Sequence, residues 1–165
     1  MDEIDLGRTV KRFIGFECRV RDLYLRLSQR FSGAAEATEF FAILSRHEEG
    51  HAIVLSRVQR EIRKGRLWKQ SKEHFSIVGA FEARLEAYEE DVRRGVTLAR
   101  ALEIVEGIEG SELNVVFDTL NDSVDMRSRA RFEGFFVLTQ RHLAYCNEQV
   151  QRLRSQHGIA LASGT

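Results

Sequence analysis

The chain has 165 residues, 43% hydrophobic and 30% charged, with 25 basic residues balancing 25 acidic ones. That length suits one domain, 1–165, with a sizeable core, and the zero net charge gives no reason to expect a nucleic-acid or anionic-membrane partner. No apolar run approaches the roughly 18 residues of a membrane span, and the acidic start Met1-Asp2-Glu3-Ile4-Asp5 lacks the apolar stretch of a secretory signal, so a cytoplasmic location is expected.

Proline is absent, and the apolar residues recur at helical spacings, so the expected class is all-α. A first helix is predicted over about 5–32, with Phe13, Glu17, Val20, Tyr24, Leu27 and Phe31 on one face and Ser32-Gly33 as the break. A second runs over about 34–64. Its stripe is Ala37, Phe41, Leu44, Glu48, His51, Leu55, Val58 and Ile62, and it stops at Lys64-Gly65. Residues of about 65–96 form a crossover: a weakly periodic part around Trp68 to His74, then a shorter helix through Val78, Phe81, Leu85 and Tyr88 that ends near Gly95. A third main helix, about 97–121, presents Leu98, Leu102, Val105, Glu109, Glu112 and Val116. Asn121-Asp122-Ser123 reads as a turn offering N-cap residues. The fourth helix, about 124–156, carries Phe132, Phe135, Thr139, His142, Cys146 and Leu153, and residues 158–165 read as a frayed tail. Two antiparallel hairpins joined by a long crossover make a four-helix bundle, and the spacing of the polar stripe residues suggests that one hairpin repeats the other.

Those polar residues lie where the stripe calls for leucine. Glu48-Glu49-Gly50-His51 and Glu109-Gly110-Ser111-Glu112 each place two ligand side chains three residues apart, about 4.5 Å along one helix face. Carboxylates and imidazoles inside a bundle are costly unless something neutralises and coordinates them. The expected metal ligands are therefore Glu17, Glu48, His51, Glu109, Glu112 and His142. Four carboxylates balance two divalent cations, and the donor set suits iron, with manganese or zinc also compatible. Cys18 and Cys146 form no Cys-x-x-Cys pair and read as reduced, small buried residues.

These segments resemble the ferritin-like superfamily, and rubrerythrin-related proteins in particular. Glu17 followed seven residues on by Tyr24 resembles the family's first-helix pattern, His47-Glu48-Glu49-Gly50-His51-Ala52 its second-helix Glu-x-x-His motif, and Ile108-Glu109-Gly110-Ser111-Glu112 its third-helix segment. The resemblance implies a ferritin-like bundle with one or two iron ions, reduction of peroxide or oxygen, and exchange of Glu112 and His51 as ligands of one iron. The family's fourth helix carries a second Glu-x-x-His, where this chain reads Thr139-Gln140-Arg141-His142, so one bridging carboxylate is replaced by Thr139. The cysteine count excludes the rubredoxin-like domain of full rubrerythrins, which implies an external electron donor. Three functions stay open: a di-iron oxidoreductase, a non-catalytic protein for metal storage, delivery or sensing, and a helical interaction module with a degenerate site.

Smaller expectations complete the reading. Tyr24 is either a core tyrosine or a hydrogen-bond donor near the metal. Gly15, Gly50, Gly107, Gly110 and Gly134 suggest close helix approach around the site. Arg57, Arg60, Arg63, Lys64, Arg66, Lys69 and Lys72 read as a solvated basic face, and Glu49 beside the ligand pair reads as an exposed glutamate, with a hydrogen bond to a ligand histidine as the alternative. His47, His74 and His157 read as surface residues, and Trp68, Phe75 and Phe81 as exposed apolar side chains that favour a homodimer.

Overall fold

A computed structural model describes residues 6–63, 75–123 and 126–160, except for the side chains of 6, 75–77, 112–123, 126–136, 138 and 139. It is all-helical: α1 (Leu6–Arg30), α2 (Ala35–Arg63), α3 (Phe75–Arg94), α4 (Leu98–Ser123) and α5 (Met126–Gln156). Trp68, His74 and the tail beyond residue 160 lie outside the described residues. So do the side chains of Phe75, Glu112 and Thr139 and the surroundings of Gly134.

Helix ends follow from local chemistry. The α1–α2 turn is held by Thr38 Oγ1, which donates to the Phe31 carbonyl at 2.7 Å, and by Ser28 Oγ, which donates to the Thr38 carbonyl at 3.0 Å. Gly95 ends α3 at φ 100°, a left-handed cap that only glycine adopts without strain. Thr97 then caps α4, its hydroxyl accepting from the Arg100 amide at 3.3 Å. The turn expected at Asn121-Asp122-Ser123 is instead the last turn of α4. No proline or glycine interrupts the helix there, and polar residues are tolerated at a helix end.

Long-range pairs fix the directions of the helices. Gln59 Nε2 donates to the Gly7 carbonyl, so α2 returns antiparallel along α1. Arg12 meets Glu82 at 2.6 Å and Arg19 meets Glu89 at 2.8 Å, so α3 runs parallel to α1 and carries the chain back along the molecule. Asp91 pairs with Arg100, and Glu106 with Arg154, which sets α4 antiparallel to both α3 and α5. α5 lies antiparallel to α2 through Glu36–Arg152 and Phe40–Tyr145. The exposed pairs orient the helices but contribute at most about 1 kcal/mol each, while Arg154 is buried at 4% exposure.

The core consists of the predicted stripes, broadened. Phe13, Val20, Tyr24, Leu27, Phe41, Leu44, Leu55, Val58, Leu102 and Val105 are all buried. At about 1.5–3 kcal/mol for each fully buried large side chain, these stripes dominate the favourable side of folding. α4 also buries Ala101, Ile104 and Ile108, since α3, α5 and α1 all pack on it. Phe81, expected to be exposed, is 5% exposed and stacks edge-on against Phe16 at 5.2 Å. That contact removes Phe81 from the exposed apolar set on which a homodimer was expected. Among the described residues no helix is long and apolar enough to cross a membrane.

Candidate metal centre

Four of the predicted ligands are driven into the interior by the stripes that carry them. Glu17, Glu48, Glu109 and His142 are each 5% exposed or less, on α1, α2, α4 and α5 respectively. His51, one turn along α2 from Glu48, keeps 15% of its side chain exposed and marks where the cluster comes nearest the surface. The remaining predicted ligand, Glu112, lies one turn beyond Glu109 on α4, and Thr139 lies one turn before His142 on α5.

Glu48 is the centre of the arrangement. Its Oε2 lies 3.1 Å from His51 Nδ1, while its Oε1 faces the other side, 3.4 Å from His142 Nε2. Glu17 Oε2 is 3.6 Å from His51 Nδ1. On the far side His142 Nε2 is 2.9 Å from Glu109 Oε2, and the Tyr24 hydroxyl donates to Glu109 Oε1 at 2.7 Å. Tyr24 is fully buried, and this bond settles its role: it holds the Glu109 carboxylate from across the bundle. A hydrogen bond to a charged group contributes about 1.5–3 kcal/mol, and a buried carboxylate needs it.

Two groups of donor atoms result, each lying within 4.8 Å of one another: Glu17, Glu48 and His51, and Glu109, His142 and Cys146. Both could hold a metal ion. Cys146 is buried and reduced, as expected, but it is more than core filling, because its Sγ sits 3.6 Å from His142 Nε2. Cys18, expected to be buried, is only partly so. His47 is not the surface residue its sequence suggests. It is half-buried, and its Nδ1 lies 2.6 Å from His142 Nδ1. The signals were present in the sequence: position 47 is three residues after Leu44 and four before His51, and Cys146 is four after His142.

Electrostatics favours a cation here. Burial pushes the Glu48 carboxyl upward, but His142 and His51 outweigh it and hold the group well below the usual carboxylate range. Burial likewise pulls His142 down, while Cys146, Glu109 and Glu48 carry it well above the ordinary histidine value. A charged His142 donates from both ring nitrogens. His47, lowered by burial and by His142, is then the neutral acceptor at the shared contact. Burial raises the Tyr24 hydroxyl, and so do the Glu109 and Glu48 charges, so it stays a donor. One imidazolium cannot satisfy every oxygen: Glu48 Oε1, on a residue 1% exposed, accepts no hydrogen bond. With only a 3.4 Å ion pair to His142, such a buried acceptor is costly unless a further electropositive group meets it. Oxygen and imidazole donors around such an atom fit a divalent ion.

The glycines divide. A Cβ on Gly107 would collide with the Tyr88 hydroxyl and lie 3.0 Å from its Cζ, so close approach holds there, against α3. Gly15, Gly50 and Gly110 have nothing within 4 Å of an added Cβ, and close packing among the described residues does not explain them. Arg57, Arg60, Arg63, Glu49 and His157 are exposed, as expected, while Lys64, Arg66, Lys69 and Lys72 lie outside the described residues. In comparisons with known proteins, no family model, no curated protein and no solved structure matches this chain.

Proposed function

We propose that this chain is a metal-binding protein of ferritin-like, rubrerythrin-related type that holds iron between its helices and reduces peroxide or oxygen with electrons from an external donor. The observation that carries the reading is Glu48: a buried carboxylate turned toward one histidine on each side, one of its oxygens without a hydrogen bond. The helix directions support the fold assignment, since two antiparallel hairpins are linked by a helix that runs back along the molecule.

Glu17, Glu48 and His51 would hold one ion, and Glu109 and His142 a second, with Glu48 shared. Iron, when bound, supplies the electrons for reduction. The chain supplies the rest. Burial of Glu109, His142 and Tyr24 keeps bulk water from that side, Tyr24 fixes the Glu109 carboxylate, and His47 holds the His142 ring from its far nitrogen. His51, the least buried of the described ligands, would be where a small oxidant approaches.

The test is anaerobic loading with ferrous iron, measurement of iron per chain, and measurement of peroxide consumption with a reductant present. Iron-dependent consumption is expected, and its absence in iron-loaded protein refutes the redox part. A second reading, metal storage, delivery or sensing without turnover, is favoured by the unlike donor sets of the two groups, one of which includes Cys146. Stable iron binding with no peroxide consumption selects it.

A further inference from the structure

The geometry points to Cys146 as a thiolate ligand, which makes the His142 side of the centre a site for a thiophilic divalent cation of the zinc or cobalt class, unlike the all-oxygen-and-nitrogen site around His51. The inference rests on the proposed metal-binding reading and adds the chemistry of one half.

Three donors converge on that half, Glu109, His142 and Cys146, all within 4.8 Å of one another, and Glu48 Oε1 stands beside them. His142 Nε2 has Glu109 Oε2 at 2.9 Å, Glu48 Oε1 at 3.4 Å and Cys146 Sγ at 3.6 Å. In the metal-free chain the 2.9 Å contact is a hydrogen bond, and the 3.4 and 3.6 Å separations leave room for an ion shared by the same atoms. The Glu48 oxygen is the independent sign. It belongs to a residue 1% exposed, accepts no hydrogen bond, and points at the same imidazole nitrogen. One nitrogen, one oxygen and one sulfur make a three-donor set of the kind zinc accepts beside a further ligand, and Glu48 Oε1 is 3.4 Å from the same nitrogen. Thiolate selects softer ions, whereas the Glu17, Glu48 and His51 group offers only carboxylate and imidazole.

Position explains why sulfur appears here. Cys146 is one turn past His142 on α5, so its side chain follows the imidazole on the same helix face. Burial pushes the thiol up to about 11, so a free Cys146 is a protonated and poor nucleophile; ligation exchanges that proton for the metal and releases it to solvent. The other thiol, Cys18, follows Glu17 directly in α1, so its side chain leaves the helix about 100° away from the ligand face.

Two measurements test the assignment. Cobalt(II) titration of the metal-free full chain is expected to produce a near-ultraviolet thiolate-to-cobalt charge-transfer band that saturates at one ion per chain. Cys146→Ser abolishes the band while visible ligand-field absorption persists, and Cys18→Ser retains it. X-ray absorption of the zinc-loaded wild-type chain needs no variant and is expected to show a sulfur neighbour at about 2.3 Å. Cobalt and zinc bound through nitrogen and oxygen alone, with no charge-transfer band, overturn the thiolate assignment and leave the metal-binding reading standing. A chain that binds neither metal overturns both. A band lost in Cys18→Ser and kept in Cys146→Ser assigns the sulfur to the wrong helix and also overturns the proposal.

Discussion

The two sides of the centre are built from related sequence patterns and meet different surroundings. On the α1/α2 side, Glu17, Glu48 and His51 gather at a place where His51 remains partly exposed. On the α4/α5 side, Glu109, His142 and Cys146 are fully inside, with Tyr24 crossing from α1 to hold Glu109 and His47 crossing from α2 to meet His142. The first hairpin thus reaches into the second half with two supporting side chains, while Glu48 faces both. A doubled pattern of polar residues need not meet two like surroundings. Neighbouring helices decide burial, and the partners they bring decide which donors stay charged against it.

The strongest way to break this comparison is to remove what the sides share. Glu48→Ala should weaken binding on both sides, each by more than the roughly 10–100-fold that the loss of an outer hydrogen-bond partner costs. Calorimetric titration with zinc, read as two separate events, checks it. If one event survives unchanged, Glu48 belongs to one side only.

Tyr24→Phe should sharpen the comparison by touching only the α4/α5 side. The variant leaves the buried Glu109 Oε1 without its donor, so we expect a loss of about 1.5–3 kcal/mol in the metal-free protein. We also expect roughly 10–100-fold weaker binding of the ion held by Glu109 and His142. Urea unfolding reads the first and titration the second. Equal weakening of both ions would show that the sides are not separable.

The centre's principal residues were legible because each interrupts an apolar stripe: Glu17 sits between Phe13 and Val20, Glu48 between Leu44 and Leu55. Periodicity locates such interruptions well. It misjudged the width of the buried face. α2 is covered by both α1 and α5, so His47, at the edge of a one-neighbour stripe, ends up half-buried against His142. Cys146 lay on the predicted stripe and read as apolar, because residue type alone does not show that a sulfur stands beside an imidazole. Phe81 and the glycines failed for a related reason. Whether an apolar side chain is covered, or a missing Cβ needed, depends on the partner helix, and the sequence of α3 does not say that it will lie on α1 and α4.

A pair of glycine variants extends the contrast beyond the ligands. Gly107→Ala forces the Tyr88 ring to move and should cost about 1–3 kcal/mol by overpacking, less the roughly 1 kcal/mol that alanine gains over glycine in a helix. Gly50→Ala, between two ligands but facing open space, should stabilise by up to about 1 kcal/mol and leave zinc affinity unchanged. Thermal unfolding of both proteins checks the signs. Destabilisation by Gly50→Ala would mean that the ligand segment of α2 needs backbone freedom.

The pH dependence of stability tests the imidazolium itself, because Glu48 and His142 pull in opposite directions. In the metal-free protein Glu48 has its proton affinity depressed, so its contribution is present above the unfolded carboxyl value of about 4.3 and is lost as pH falls through the folded one. His142 has its affinity raised, so its contribution is full below about 6.5 and is lost as pH rises toward the folded value. Urea midpoints of the metal-free chain should therefore peak between about pH 4.5 and 6.5 and decline on the alkaline side. Zinc replaces the proton on His142, so the zinc-loaded chain should not show that decline. If the metal-free protein instead grows more stable from neutral to alkaline pH, His142 is not held charged between Glu48 and Glu109, and the α4/α5 side is organised around something other than that imidazolium.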